Sequence, residues 1–184
     1  QKGYGIDEGE LWKHSVATAI AAQLIARDQG DDEEIAFTAA LLHDIGKTIL
    51  AAALEDFRGS LVEEAETNQQ TMLDREKKLL GVQHAEIGGR LLARWKFPPN
   101  LVAAVWFHHH PAAADPHHKL ASYVYLGNMI ACFLGCGYGH QALALRAQAE
   151  ALEIAGLRHD DLPRYMIRTC EQFDAVQVLF NIRN

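Results

Sequence analysis

The 184-residue sequence predicts an all-α helical bundle folded as one domain over residues 1–184. Three observations predict it. Apolar residues recur at i, i+3 and i+4 through most of the chain, no stretch sustains a period-two alternation, and no Asn-Gly or Asp-Gly pair joins β-branched runs. With 49% hydrophobic residues the chain can bury a sizeable core without disulfides. Cys132, Cys136 and Cys170 are odd in number and lack C-x-x-C spacing, so they read as buried free thiols of a reducing cytoplasm.

Taken in order, "DEGELWKHSVATAIAAQLIARD" starts on acidic Asp7 and Glu8 and aligns Glu10, His14, Ala17, Ala21 and Ile25 on one side of a helix. A loop at Gly30 follows. Asp31 or Asp32 then caps a helix whose residues Ile35 to Leu42 are apolar nearly all round, as in a central, fully surrounded helix. Residues 47 to 55 read as a short helix, and "EDFRGSLVEEAETNQQTMLDREKKLLG" as a polar surface excursion with one or two amphipathic turns. "HAEIGGRLLARWKF" resumes a stripe through His84, Ile87, Gly88, Leu91 and Trp95 until Pro98 and Pro99 break it. Asn100 caps "LVAAVWFHHH", which Pro111 stops, and "PAAADP" is a loop. "KLASYVYLGNMIACFLG" aligns Val124, Asn128 and Ala131. After a loop at Gly135, Gly137 and Gly139, "QALALRAQAEALEIAG" and "LPRYMIRTCEQFDAVQVLFN" complete the bundle, the last with Pro163 in its opening turn. Trp12, Trp95 and Trp106 are expected in the core.

The formal charge of −7 and the lack of a Lys/Arg cluster exclude a broad nucleic-acid surface. No segment has about 18 uninterrupted apolar residues and no basic-then-apolar leader opens the chain, so a cytoplasmic protein away from membranes is expected. A small phosphorylated or nucleotide-like ligand would need a local positive centre, such as a bound metal, to overcome the overall field.

His14, His43, Asp44, His84, His108, His109 and Asn128 all fall at core-facing positions of different helical segments. Any one of them has an ordinary explanation as a hydrogen-bonded core residue or a cap. Together they would need several independent buried-polar solutions, whereas one metal centre accounts for all. Imidazoles with a carboxylate suit one or two divalent transition metals, Fe or Mn foremost and Zn, Ni or Co as alternatives, with Asp44 as a bridge if there are two. His110, His117 and His118 read as solvated loop residues, and His140 and His159 as surface residues.

"LWKHS", "LLHDIGK", "HAEIG" and "FHHHP", in this order and at these intervals, resemble the HDOD branch of the HD-domain superfamily. The resemblance runs from about Tyr4 to the C-terminus and implies an HD-domain-like bundle. HDOD proteins carry a further N-terminal helical half, so the chain is expected to be the HD-like portion of a longer protein. The resemblance further implies that His14, His43, Asp44 and Asn128 hold one metal, Asn128 standing where the superfamily has an aspartate and bringing no charge. His84, His108 and His109 match the ligands of a second metal in related cyclic-di-GMP phosphodiesterases, and Glu10 matches a glutamate that some of those enzymes use. The Gly-Tyr-Pro element of those phosphodiesterases is missing from "HHHPAAADPHHKL", which argues against cyclic-di-GMP as substrate.

The implied activity is phosphomonoester or phosphodiester hydrolysis by a metal-activated water, with Asp44 and Lys47 as catalytic residues and Lys47 neutralising charge on the phosphoryl oxygens. Lys47 is equally an ordinary helix-end lysine by position, and Glu10 an ordinary first-turn acid. Two further classes stay open: a non-catalytic signalling module that keeps a structural or regulatory metal and meets other signalling proteins, and a di-iron redox or oxygen-sensing protein.

Overall fold

The helix at the centre is the alanine-rich one. In the computed structural model, which describes Tyr4 and residues 9–55, 72–136 and 149–179, helix α1 spans Glu10–Asp28 and buries every residue from His14 to Ala22. Small side chains at Ala17, Ala19, Ala21, Ala22 and Ala26 let neighbours approach on all sides, so α1 takes the surrounded position expected of residues 35–42. Helix α2 (Glu33–Leu42) lies along α1 with Ala36, Ala39 and Ala40 buried, while Phe37 and Leu41 are only partly covered. Its cap is Asp32, whose carboxylate accepts the Glu34 and Ile35 amides at 3.0 Å. Asp31 instead pairs with Lys119 at 2.8 Å and accepts the Tyr123 hydroxyl.

The chain then breaks for two residues, His43 and Asp44, before α3 (Ile45–Glu55) begins. Helix α3 packs on α5 (His84–Arg94) through glycines. A Cβ built on Gly46 would sit 1.9 Å from the His84 carbonyl oxygen and 2.9 Å from the Gly88 amide nitrogen. The crossing is therefore a backbone-to-backbone contact that only glycine permits. Between them α4 (Met72–Leu80) ends at Gly81, whose φ is 73°. Helix α4 lies within the segment expected as a surface excursion, yet it buries Arg75 and Glu76. Residues 56–71 of that segment lie outside the described residues.

Helix α6 (Pro99–Trp106) opens on the two prolines, and Asn100 Oδ1 accepts the Leu101 amide at 3.0 Å. A single 3-10 turn at Pro111–Ala113 leads into α7 (His118–Phe133), which packs along α1. Gly127 makes that approach possible, since a Cβ there would lie 2.6 Å from the Thr18 carbonyl oxygen. Helix α8 (Ala149–Ile154) and α9 (Leu162–Leu179) close the bundle, with Tyr165 and Phe173 buried in the main core. The expected helical residues 141–148, and His140, lie outside the described residues. Fully buried Leu24, Ile25, Leu126 and Ile130 each contribute roughly 1.5–3 kcal/mol relative to exposure.

Among the described residues there is no strand, as the all-α expectation requires, and no helix long and apolar enough to cross a membrane. Two smaller expectations fail. Trp95 is 57% exposed and Trp12 lies at the surface rather than in the core. Cys132 and Cys136 are only partly buried and Cys170 is exposed, all three as free thiols.

Candidate metal centre

The two-residue joint between α2 and α3 delivers His43 and Asp44 inward, 0% and 1% exposed. The last turn of α2 closes on the Ala40 oxygen, which accepts the His43 amide at 3.4 Å and also anchors the His43 ring, whose Nδ1 lies 2.7 Å away. His108, just beyond α6, repeats the device on the Val105 oxygen at 2.7 Å. His14 Nδ1, reaching out from α1, meets the Cys136 oxygen at 2.5 Å. His84, the first residue of α5, sets Nδ1 against both oxygens of Glu76 at 2.8 and 2.9 Å.

A carbonyl or carboxylate oxygen only accepts, so in each neutral ring Nδ1 carries the proton and Nε2 presents its lone pair. The Nε2 atoms of all four rings converge on Asp44. Its Oδ2 lies 3.3 Å from His43 Nε2 and 3.7 Å from His14 Nε2, while Oδ1 lies 3.1 Å from His84 Nε2 and 3.8 Å from His108 Nε2. His109 Nε2 completes the second side, 3.0 Å from His84 Nε2. The ligand atoms of His14, His43 and Asp44 lie within 4.8 Å of one another, and so do those of His84, His108 and His109. One carboxylate thus stands between two sets of imidazoles.

The residues present fit a metal. His43 Nε2, Asp44 Oδ1 and His108 Nε2 are buried with no hydrogen-bond partner, although such groups are normally satisfied in native proteins. Their rings are already fixed from behind, as metal-ligating histidines are.

Burial, and after it the neighbouring His43, pushes His14 down to about 4. Burial and adjacent imidazoles likewise hold His108 and His109 well below the ordinary histidine range. His84 runs the other way: burial and Lys47 lower it, but the Asp44 and Glu76 carboxylates on either side of its ring outweigh them and raise it. Burial raises the Asp44 carboxyl, yet His43 and Lys47 together keep it well below the usual carboxylate range.

These directions predict how the metal-free fold responds to acid. Unfolded histidines take up protons near pH 6.5, whereas folded His14 stays neutral down to about pH 4, with His108 and His109 depressed in the same sense. Between those limits the unfolded state binds more protons, so stability falls with pH, by up to about 1.4 kcal/mol per pH unit for each buried neutral histidine. The contribution of His84 is complete below pH 6.5 and is lost only as pH rises through its folded value, so it does not offset the fall. Melting temperatures of metal-free protein are expected to drop steadily from pH 7 to pH 5; a flat profile would contradict the neutral assignment.

Lys47 projects from the first turn of α3 and sets Nζ 2.7 Å from Asp44 Oδ2, 8% exposed. Glu10 stands one turn before His14 but pairs with Lys13 at 2.9 Å, partly exposed. Asn128 is partly buried on α7, and among the described residues its Oδ1 meets Cys132 Sγ at 3.7 Å. Cys132 itself lies close enough to sense the charges of Lys47 and Asp44. His110 and His159 are exposed, and His117 and His118 belong to neither imidazole set.

The sequence reading missed Glu76. Set in "DREKKLL", it looks like one charge of a solvated face, and only its place eight residues before His84, across the turn at Gly81, hints otherwise. It is fully buried, and beyond the His84 ring it accepts the His84 backbone amide at 2.7 Å and the Tyr4 hydroxyl at 2.8 Å.

The description of the HDOD domain matches residues 1–111. Among solved structures, a Shewanella amazonensis SB2B protein provisionally named a phosphohydrolase is 28% identical at a TM-score of 0.70, covering 91% of this chain and 61% of that one. The MmoQ response regulator from Methylococcus capsulatus is 25% identical at 0.63, covering 90% and 63%. An HDOD domain protein of unknown function from Geobacter sulfurreducens, 22% identical at 0.66 over 90% of this chain and 54% of that one, shows the same fold. Among curated proteins, Ribonuclease Y of Sulfurovum sp. is 31% identical over 96 residues, which is 52% of this chain and 14% of that protein. The chain therefore spans a small part of the length of its curated relatives.

Proposed function

The chain belongs to the HDOD domain family, and we propose that its imidazole–carboxylate centre holds divalent metal and hydrolyses a phosphomonoester or phosphodiester. The observation that carries the reading is Asp44, buried with one oxygen toward each imidazole set and Oδ1 lacking a hydrogen-bond partner. His14, His43 and Asp44 would hold one ion, to which Asn128 and Glu10 would add ligands only by turning from Cys132 and Lys13; His84, His108 and His109 would hold a second. Iron or manganese, or zinc, nickel or cobalt, would supply Lewis acidity toward a phosphoryl oxygen and a water acidified toward neutrality. The chain's own part is to fix each ring by its Nδ1 bond, to keep Asp44 ionised beside Lys47, and to place the Lys47 ammonium next to the reacting oxygens. The phosphohydrolase name borne by the Shewanella neighbour supports this class of reaction.

The test is to strip the purified protein of metal, reload it with Mn2+ or Fe2+, and assay p-nitrophenyl phosphate and its diester. Metal-dependent turnover is expected, with a loss of at least about 100-fold in Asp44→Ala, in line with loss of a group that carries the metal chemistry. One observation favours a second reading, a signalling module whose metal is regulatory. The side chains of His14, His43, Asp44, His84 and His108 are at most 2% exposed, and Lys47 is already engaged by Asp44, which leaves a phosphoester little room. The likeness to a response regulator agrees with signalling partners. Full metal content without turnover of either ester would decide for that reading.

A further inference from the structure

Resting on the metal reading above, we infer that Glu76 is a positioning residue for one half of the centre, giving the His84–His108–His109 set the negative charge it needs to retain a second cation. The two sets are unequal. The first contains its own carboxylate, Asp44, whereas the second is three imidazoles, which meet a carboxylate on their inward side only at the shared Asp44 Oδ1, 3.1 Å from His84 Nε2. A dication held by neutral imidazoles alone keeps its whole charge in a buried site, which is costly.

Glu76 answers that cost from behind the ring. Its two oxygens flank His84 Nδ1 at 2.8 and 2.9 Å, so the imidazole is polarised from the side opposite Nε2 and becomes a stronger donor. The carboxylate is itself immobilised by the His84 amide at 2.7 Å and the Tyr4 hydroxyl at 2.8 Å. His14, His43 and His108 set Nδ1 against neutral carbonyl oxygens instead, whereas His84 sets it against a carboxylate. A fully buried glutamate, contributed by a separate helix, is thus directed at a ring whose other nitrogen faces Asp44.

The probe is Zn2+ alone, added to metal-free full chain in chelator-buffered solutions, with bound metal counted by elemental analysis after dialysis. Wild type is expected to take up two ions at the centre. In Glu76→Gln, which keeps size and one acceptor but removes the charge, one ion is expected to bind 10- to 100-fold more weakly while the other changes by less than about 3-fold. His109→Ala, which deletes a ligand of the same set, should weaken the same ion, and Tyr4→Phe should have a smaller effect of the same kind. If Glu76→Gln does not fold, Glu76→Asp, which keeps the charge but shortens its reach, is expected to give an intermediate loss confined to that ion. Two ions bound equally well in wild type and Glu76→Gln, or both weakened alike, would overturn the inference and leave the metal reading standing. Wild type that takes up no Zn2+ would overturn both.

Discussion

Asp44→Ala is expected to empty both metal positions together and to lower the stability of the metal-free protein by about 3–5 kcal/mol, the usual cost of removing one partner from a buried ion pair. The carboxylate has Lys47 Nζ at 2.7 Å and four imidazole nitrogens within 3.8 Å, all in a site closed to solvent. Its removal leaves that cluster with no negative charge between the two sets. Urea unfolding of metal-free wild type and variant, with elemental analysis of metal-loaded samples, measures both effects. Asp44→Asn separates them: the amide preserves the shape and should recover part of the stability but not the metal. A stability loss below about 1 kcal/mol in Asp44→Ala would show that the charges around Asp44 are solvated rather than paired.

The second large effect is expected at a residue that offers no ligand atom itself, in Gly46→Ala. The added carbon would sit 1.9 Å from the His84 carbonyl oxygen, 2.8 Å from its carbon and 2.9 Å from the Gly88 nitrogen, and all three are backbone atoms that no rotamer change can move. Helices α3 and α5 must separate, at a cost of about 3 kcal/mol or more, the upper end of overpacking penalties. The same movement carries Asp44 away from His84, so metal binding at the second set should weaken along with stability. Circular-dichroism melts together with Zn2+ titration would register both. A variant that melts within a degree or two of wild type would mean that the α3–α5 crossing is looser than the structure has it.

Much of this was legible in the chain, for reasons that differ by residue. Helical periodicity marked the positions of α1, α5, α6 and α7 because each has one face against the core, and Pro98, Pro99 and Pro111 punctuate them unambiguously. His14, His43, Asp44, His84 and His108 stood out because polar residues at apolar register are conspicuous, and the structure draws them together with His109. The reading failed where local composition and tertiary role diverge. Residues 35–42 are more apolar than α1, yet α1 is the buried centre, because alanines bury well and score low on hydrophobicity. Glu76 was invisible for the same kind of reason: a charged residue among charged residues declares its burial only through contacts with His84 and Tyr4, both remote in sequence. Trp95 misled in the opposite sense, its ring lying on the surface near Phe97 rather than under it.

The rings and carboxylate of the centre are strung from residue 14 to residue 109, on four separate stretches of chain. No partly made bundle holds more than a fragment of the set, because contacts so distant along the chain form late. An ion held here would therefore be captured last in folding and released only when helices part. Its exchange with a chelator would then follow the opening rate of the bundle and not the chelator concentration, making occupancy a lasting record of the conditions in which the chain folded.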